Sequence, residues 1–425
     1  MKIAFFVHRF PVISEAFIAN AAAGLIEEGH AVDIYALDGP GDATHERHAL
    51  IKRYGLEDRT RTFRLKESPR RRVALAPPAA LKLAARHGLK IGSVLDSRSF
   101  GPDRIGLRAL HEASLFRGGG KYDILHCHFG TLAEAVLDHR RAGFLTGRVV
   151  VHFRGYDISK HIQDNGEHAY DRVFRDADAF IANCGYFRDR AIALGAPASR
   201  TQVVASGVAL DRFPFAVRSW VPAEPLRVLA IGRLVEKKGF RFAVEAVARL
   251  VAHGLDAHLT IVGDGPLRGA LEEQAAALSI SKRVTFHGAL PHERISQLLE
   301  GSHILLAPST TAASGDRDAS INTVKEAMAT GCPFVTSNHG GIPELVDGVD
   351  AGVMTQEGDA GALAAGVLTL LARRGEWADM GRRGRDHVIS KYTIESVTAA
   401  TLEIYQRALA VRRTRDESRR VMSWH

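Results

Sequence analysis

The sequence predicts an α/β protein made of two Rossmann-like, doubly wound parallel-sheet domains facing a central cleft. Three observations carry this. Short apolar runs alternate with helical spacing along nearly the whole chain, the rhythm of repeated βαβ units. The rhythm breaks once, where Pro214, Pro222 and Pro225 punctuate a stretch without periodicity. The chemically suggestive loops lie just after predicted strands, where open α/β sheets bind ligands. The expected organisation is a first domain over residues 1–206, a linker over 207–225 and a second domain over 226–392. A C-terminal helix and charged tail over 393–425 is expected to cross back to the first domain.

In chain order, the first-half strands are expected at 3–7, 31–36, 124–127, 149–152, 179–182 and 202–205. Helical spacing fills 14–28 and 132–141 between them. Ser14 has the character of an N-cap, with Phe17, Ile18, Ala21 and Leu25 on one buried face. The second series has strands at 226–231, 258–262, 283–286, 304–307, 333–336 and 352–354. Thr393 to Arg407 patterns as a long amphipathic helix, and the charged run Arg412–Arg420 is expected to fray.

Bulk properties narrow the function. The chain has 425 residues, 46% hydrophobic and 24% charged, enough for two or three domain cores. Three scattered cysteines, Cys127, Cys184 and Cys332, argue against a disulfide framework or zinc site and for a reducing compartment. The first apolar run stops after five residues at His8, too short for a secretion signal. No run approaches the roughly 18 apolar residues of a membrane span. The net charge of +8 is uneven: residues 52–121 hold 17 Lys/Arg against 6 Asp/Glu. Anionic lipid, a phosphorylated substrate or nucleic acid would suit such a segment. Nucleic acid is the weakest of these, since no binding motif or interleaved stacking aromatics accompany the charge. Leu65, Val73, Leu75, Leu81 and Leu83 among the arginines suit docking on an anionic membrane, against the plainer reading of a solvated basic surface.

The second half carries the sharper motifs. Gly232 follows a strand and opens a basic turn that ends at Gly239. Arg233 and Lys238 in that turn suit a diphosphate, Arg by a forked contact and Lys as a point charge. The strand–glycine–helix context favours anion binding over a solvated turn. Gly263 and Gly265 sit in a second post-strand turn and His287 in a third; either could line a nucleotide or be a simple turn. The glycine turn from Gly340 to Val346 is equally a donor contact or a plain connection. Asp318 and Glu326 stand eight residues apart across a strand-end loop and the following helix. Such a pair can grip one small polar ligand, while unpaired N–H groups near Ser320, Ile321, Asn322 and Thr323 face an anion. A nucleotide sugar has that shape.

In the first half, His126 and His128 close one strand, and His152, Arg154 and Asp157 follow another. His-x-His suggests a metal, but no third ligand cluster is near in sequence, so a polar acceptor site is the better reading. Any one of these histidines is as readily a hydrogen-bonded core residue. No Gly-x-Gly-x-x-Gly follows the first strand, which disfavours a dinucleotide-dependent dehydrogenase.

Together these motifs resemble glycosyltransferase family 4, retaining enzymes of the GT-B fold, over about residues 1–405. The specific parts are Gly232-Arg-Leu with Lys238-Gly239, Val262 to Pro266, Glu326 to Gly331 and Gly341 to Val346. Pro11 to Ile18, Gly29 to Val32, His126 to Phe129 and Arg154 to Asp157 look like the branch that builds exopolysaccharides, including colanic-acid-type transferases. The resemblance implies that Arg233 and Lys238 neutralise the donor diphosphate, Glu326 holds ribose hydroxyls and Asp318 contacts the donor sugar. Arg233, Lys238, Asp318 and His152 are then the catalytic candidates. Gly232, Gly263, Gly265, His287, Ser320, Ile321, Asn322 and Thr323 complete the donor site. Ser14, Glu15, His128, His152, Arg154 and Asp157 form the acceptor site.

Neither cofactor nor metal is implied, because Arg, Lys and a helix dipole take the leaving-group charge. Two positions depart from the family: Asp318 stands where Glu is usual, and Arg154 where many relatives carry His. His152 is its substitute or a structural residue.

The expected activity is transfer of a hexose from a nucleotide sugar, UDP-linked by default, to a glycan, polyprenyl-linked or small-molecule acceptor. The expected location is cytoplasmic, peripheral on the inner membrane face. A natural-product transferase, a nucleotide-sugar 2-epimerase and a degenerate binding subunit share the same donor half and stand as alternatives.

Overall fold

Two parallel sheets divide the chain between them. The first contains β1 (Lys2–Val7), β2 (Ala31–Ala36), β3 (Thr60–Thr62), β4 (Lys121–Cys127), β5 (Thr146–Phe153), β6 (Ala179–Ala182) and β7 (Thr201–Val203). Their spatial order is β3-β2-β1-β4-β5-β6-β7. The second contains β8 (Leu226–Ile231), β9 (Ala257–Val262), β10 (Val284–Phe286), β11 (Ile304–Ala307), β12 (Phe334–Ser337) and β13 (Gly352–Thr355), in the order β10-β9-β8-β11-β12-β13. Every strand pairing is parallel. The computed structural model describes residues 1–12, 15–41, 49–63, 69–88, 107–319 and 321–422.

All twelve expected strands are present, and β3 is one more. It escaped sequence reading because it is a three-residue edge strand, Thr-Arg-Thr, with every residue only half-buried. An edge strand of that kind leaves no apolar signature.

Each sheet is buried on both faces, which explains why its strands are apolar runs rather than alternations. Ile3, Phe5 and Val7 of β1 pack under helix Ala16–Glu27 and the C-terminal helix Ile394–Met422, which supplies Ile404, Tyr405 and Ala408. Ala4 and Phe6 face the other way, onto helices Arg108–Leu115 and Ala133–Arg141. In the second sheet, Val228 and Ala230 lie under helices Phe240–Ala252 and Ala360–Ala372. Leu229 and Leu305 meet Val324, Ala327 and Met328 of helix Asn322–Thr330. Each fully buried Leu or Phe contributes about 1.5–3 kcal/mol.

The C-terminal helix ties the halves together. Its predecessor, Trp377–Lys391, packs on the second sheet through Trp377, Met380 and Val388. After Tyr392 and Thr393 the chain returns to the first sheet, and the Tyr392 carbonyl accepts from the Val208 amide of the connecting segment at 2.8 Å. Gly24 permits the docking, since a Cβ there would stand 2.2 Å from the Thr398 hydroxyl. The helix runs to Met422, beyond the expected end at Arg407, and includes the run expected to fray.

Chain order in both sheets reverses at the centre, between β1 and β4 and between β8 and β11. Those switch points open crevices at the carboxyl ends of the strands. Among the described residues no helix is long and apolar enough to cross a membrane.

Candidate active site

A cavity of about 430 Å³ lies at these carboxyl ends, lined by residues from both halves. From the second half come Gly232, Arg233 and Lys238 after β8, Gly263 and Asp264 after β9, and Ala289 and Leu290 after β10. Asp318 is on the wall, and Ile321, Asn322, Thr323 and Glu326 bring the start of helix Asn322–Thr330 to it. That start has no side-chain cap, so its first amides remain available to an anion. The first half contributes Ala16, Phe17, Arg154, Asn183 and Ser206.

The second-half wall is a network of paired charges. Lys238 Nζ is 2.8 Å from Asp318, and Lys237 Nζ is 2.8 Å from Asp316 and 3.8 Å from Asp318. The Ser309 hydroxyl donates to Asp318 at 2.7 Å. Burial alone would raise the Asp318 carboxyl, but Lys238, Lys237 and Ser309 together hold it below its ordinary value. The Asp318 backbone is held as well. Its amide donates to His339 Nε2 at 3.0 Å, and His339 Nδ1 pairs with Glu357 at 2.9 Å. Accepting at Nε2 makes His339 the Nδ1–H tautomer. Burial would raise Glu357, yet hydrogen bonds from His339 and the Thr311 amide bring it down to about 2. Gly340 completes the support at φ +54°, where a Cβ would come within 2.1 Å of the Asp318 carbonyl oxygen.

Glu326 differs from Asp318. Burial pushes its carboxyl up to about 7, opposed by the charge of neighbouring Lys325. Lys325 is fully buried and lowered to about 7 by that burial. Its ammonium donates to the Ser206 carbonyl at 2.9 Å and stands 5.1 Å from the Tyr392 ring centroid, linking the halves behind the cavity.

The first-half wall is mostly uncharged. Arg154 reaches the cavity, with Nη2 donating to His128 Nδ1 at 3.0 Å and His152 Nδ1 at 3.1 Å, and Nη1 donating to the Ser206 hydroxyl at 3.3 Å. The guanidinium also lies 4.1 Å from the Phe17 ring centroid. His126, His128 and His152 stack behind it, and burial first, then Arg154 and each other, hold them neutral well below the usual histidine range. His126 Nδ1 meets the Tyr405 hydroxyl of the C-terminal helix.

These placements sort the expected residues. Arg233, Lys238, Asp318, Gly232, Gly263, Ile321, Asn322, Thr323 and Glu326 converge on the cavity with Arg154. Ser14 and Ser320 lie outside the described residues. Gly265 stands off the wall, packed so closely on Leu234 that a Cβ would be 2.6 Å from its carbonyl oxygen. His287 is exposed, and its turn presents Ala289 and Leu290 to the cavity instead. Glu15 is not on the wall; the adjoining Ala16 and Phe17 are. His128 and His152 are buried in a layer behind Arg154, so neither meets the cavity directly. His152 and Arg154 do lie side by side, 3.1 Å apart, although β5 ends at Phe153 and Arg154 lies just beyond it. Asp157 is wholly buried and accepts from the amides of Gly130, Arg154 and Gly155, which makes it a loop anchor.

Five contributors were missed: Lys237, Ser309, Asp316, His339 and Glu357. Lys237 alone had a sequence signal, as the neighbour of Lys238 in the basic turn. The Gly340–Val346 turn acts across the cleft rather than in it. Glu344 accepts from the Gly185 and Tyr186 amides at 2.5 and 2.6 Å, capping helix Gly185–Ala193 of the first half. Ser159 also donates to Asp316 across the halves at 3.3 Å. Among the described residues no group of three or more His, Cys, Asp or Glu is placed to hold a metal ion.

Residues 225–373 match the family described as Glycosyl transferases group 1, and residues 14–207 match the Glycosyl transferase 4-like domain. The chain is 34% identical over 376 residues to the amylovoran biosynthesis glycosyltransferase AmsK of Erwinia amylovora, covering 87% of this chain and 90% of that one. It is 31% identical over 368 residues to WcaL of Salmonella typhimurium, provisionally named a colanic acid biosynthesis glycosyltransferase, covering 86% and 89%. Its fold matches the crystal structure of Anabaena Alr3699/HepE in complex with UDP and glucose, with a TM-score of 0.67, 18% identity, and 96% and 100% of the two chains covered.

Proposed function

We propose that this chain, which belongs to the group 1 glycosyltransferases and is a retaining, metal-independent enzyme of the GT-B fold, moves a hexose from a UDP-sugar to a glycan or lipid-linked acceptor in surface polysaccharide synthesis. One observation carries the reading. The basic turn with Arg233 and Lys238, the uncapped start of helix Asn322–Thr330 and the buried carboxyl of Glu326 line a single cavity that also reaches the first half. A nucleoside diphosphate needs those three features, and a second substrate needs the open side. The exopolysaccharide role is supported by the named roles of the two relatives, and the choice of UDP by the ligand of the HepE crystal structure.

The charge network suggests how the leaving group is stabilised. Lys238 exchanges Asp318 for a diphosphate oxygen, and Arg233 and the helix amides join it. Asp318, released from Lys238 but still held by Ser309 and its own backbone, turns to the sugar hydroxyls. The anomeric C–O bond to the diphosphate breaks as the acceptor oxygen bonds the same face, and the acceptor proton passes to the departing phosphate oxygen. A deprotonated Glu326 accepts from the ribose hydroxyls.

Incubating the protein with a panel of UDP-sugars, with and without a lipid-linked glycan primer, tests this. The expected result is a glycosylated primer with the donor's anomeric configuration and UDP in equal amount. A 2-epimerised donor without primer would instead identify an epimerase, and a chain that binds UDP without turning over any donor would be a binding subunit.

The basic segment supports a membrane-facing location on the cytoplasmic side. On helix Pro69–His87, Val73 is 63% exposed and Leu81 74%, with Leu75 exposed beside them. Leu83 faces inward with Ala79 against helix Arg108–Leu115, and Leu65 lies outside the described residues. Flotation with anionic liposomes should carry the wild type upward. A Val73→Asp/Leu81→Asp variant should stay at the bottom, as should the wild type with neutral liposomes.

A further inference from the structure

Among the described residues two guanidinium groups reach the cavity, and they differ in what surrounds them. Arg233 is exposed on the donor side, where a nucleoside diphosphate accounts for its charge. Arg154 is on the opposite wall, and the diphosphate site gives it no counterion. Its neighbours are two neutral imidazoles, one hydroxyl and a phenyl ring, and no carboxylate pairs with it among the described residues. Asp157 and Glu15 act on it only through space, and Asp157 spends its oxygens on three backbone amides. Among the described residues the buried Arg154 Nε–H has no partner.

Some cations that the fold buries rest on carbonyls away from the cavity, Arg218 on Ala216 and Leu299 and Lys325 on Ser206, and others are neutralised by carboxylates. Arg140 and Arg148 share Asp178 at 2.6 Å each, and Lys237 and Lys238 hold Asp316 and Asp318. A guanidinium in a half-buried wall that is oriented by neutral acceptors keeps its whole charge for a ligand. Both imidazoles accept at Nδ1, so each must carry its own proton on Nε2, and neither can compete as a second cation.

We propose that Arg154 binds an anionic oxygen group, a carboxylate or phosphate, on the sugar or acceptor seated against the first-half wall. The enzyme is thereby selective for an acidic partner. Two sources supply that chemistry: a uronic-acid unit on the donor, or an acidic or phosphorylated sugar on the acceptor. His128 and His152 are positioning residues that fix the guanidinium plane. The assignment rests on the nucleotide-sugar transferase reading.

Calorimetric titration of the full chain separates the cases. In the donor arm, UDP-glucose is compared with UDP-glucuronate. In the acceptor arm, with UDP saturating, methyl glucoside is compared with glucuronate and glucose 1-phosphate. One arm should show the acidic probe binding about tenfold or more tighter than its neutral counterpart, the scale of one charge-assisted hydrogen-bond pair. Arg154→Lys should keep most of that preference, and Arg154→Met and Arg154→Gln should bring it to about one. Equal binding of acidic and neutral probes in both arms by the wild type would overturn the proposal without any variant, as would a preference that survives in Arg154→Met. Failure of UDP itself to bind would sink the transferase reading, whereas UDP binding with no acid preference would sink only the assignment of Arg154.

Discussion

The two walls of the cleft hold cations in opposite ways. On the donor wall, Lys237 and Lys238 are each matched to a carboxylate, and Asp318 is fixed from behind by Ser309 and by the His339–Glu357 pair. On the acceptor wall, Arg154 is held by neutral His128 and His152. A paired cation can give up an internal partner for an incoming anion, so its charge is balanced before and after binding. An unpaired one is balanced only when its ligand arrives. On the proposed reading the second-half wall exchanges anions, and the first-half wall waits for one.

The sharpest way to break the first half of this contrast is Lys238→Ala. It removes the charge meant for the departing diphosphate, and turnover should fall by about 10²–10³-fold or more, the usual loss for one preorganised donor to a developing anion. Since it also leaves Asp318 with the more distant Lys237, a double variant with Asp318→Asn should fold at least as well as Lys238→Ala alone. Wild-type turnover in Lys238→Ala would remove the assignment.

Glu326 gives a pH test. Its folded-state value near 7 lies above the ordinary 4.5, so the free protein holds a proton there below neutrality. Donor binding through a carboxylate should therefore weaken as pH falls from 8 through 7 toward 6, measured as UDP affinity by calorimetry. Linkage has the matching sign: the folded chain keeps this proton while the unfolded one loses it, so this group's contribution to stability declines as pH rises from about 4.5 to 7. Glu326→Gln should flatten the pH slope of UDP binding, leaving the part that Lys325 and the ionisation of the UDP phosphate supply, and cost about 1.5–3 kcal/mol of affinity. A slope unchanged in Glu326→Gln would exclude this carboxyl as its source.

The smallest effect is expected at His339, which touches no substrate. His339→Ala leaves the Asp318 amide unpaired and takes one of several hydrogen bonds from Glu357, which should cost about 1–3 kcal/mol in chemical unfolding. Turnover should fall with it, because the Asp318 loop loses its anchor. His339→Gln, able to accept and donate, should recover part of both. A variant that loses stability and keeps full turnover would show that the loop needs no such anchor.

Much of this was legible in the sequence. Periodicity located all but one of the strands, and the glycine-bounded basic turn and the Asp318–Glu326 spacing brought eight of the expected residues, with Gly263 of the next turn, to one cavity beside Arg154. These signals are local: strand, turn and helix start follow each other within a few residues, and physical chemistry acts at the same range. The first-half wall was read less well, because the sequence does not show that His128 and His152 are buried behind Arg154 rather than facing the cavity. His339 and Glu357 left no signal, since each matters only through a partner 18 or more residues away.

The sequence by itself therefore determined the two-sheet α/β fold and where its ligand-facing loops begin, because periodicity and glycine placement are properties of short segments. Only the tertiary structure decided which charges are paired. It set Asp318 against Lys238, placed the C-terminal Tyr405 on His126 across the molecule, and left Arg154 among neutral imidazoles. Pairing depends on distances of a few ångströms between residues far apart in the chain, and those distances exist only once both sheets have packed and the last helix has crossed back over the first.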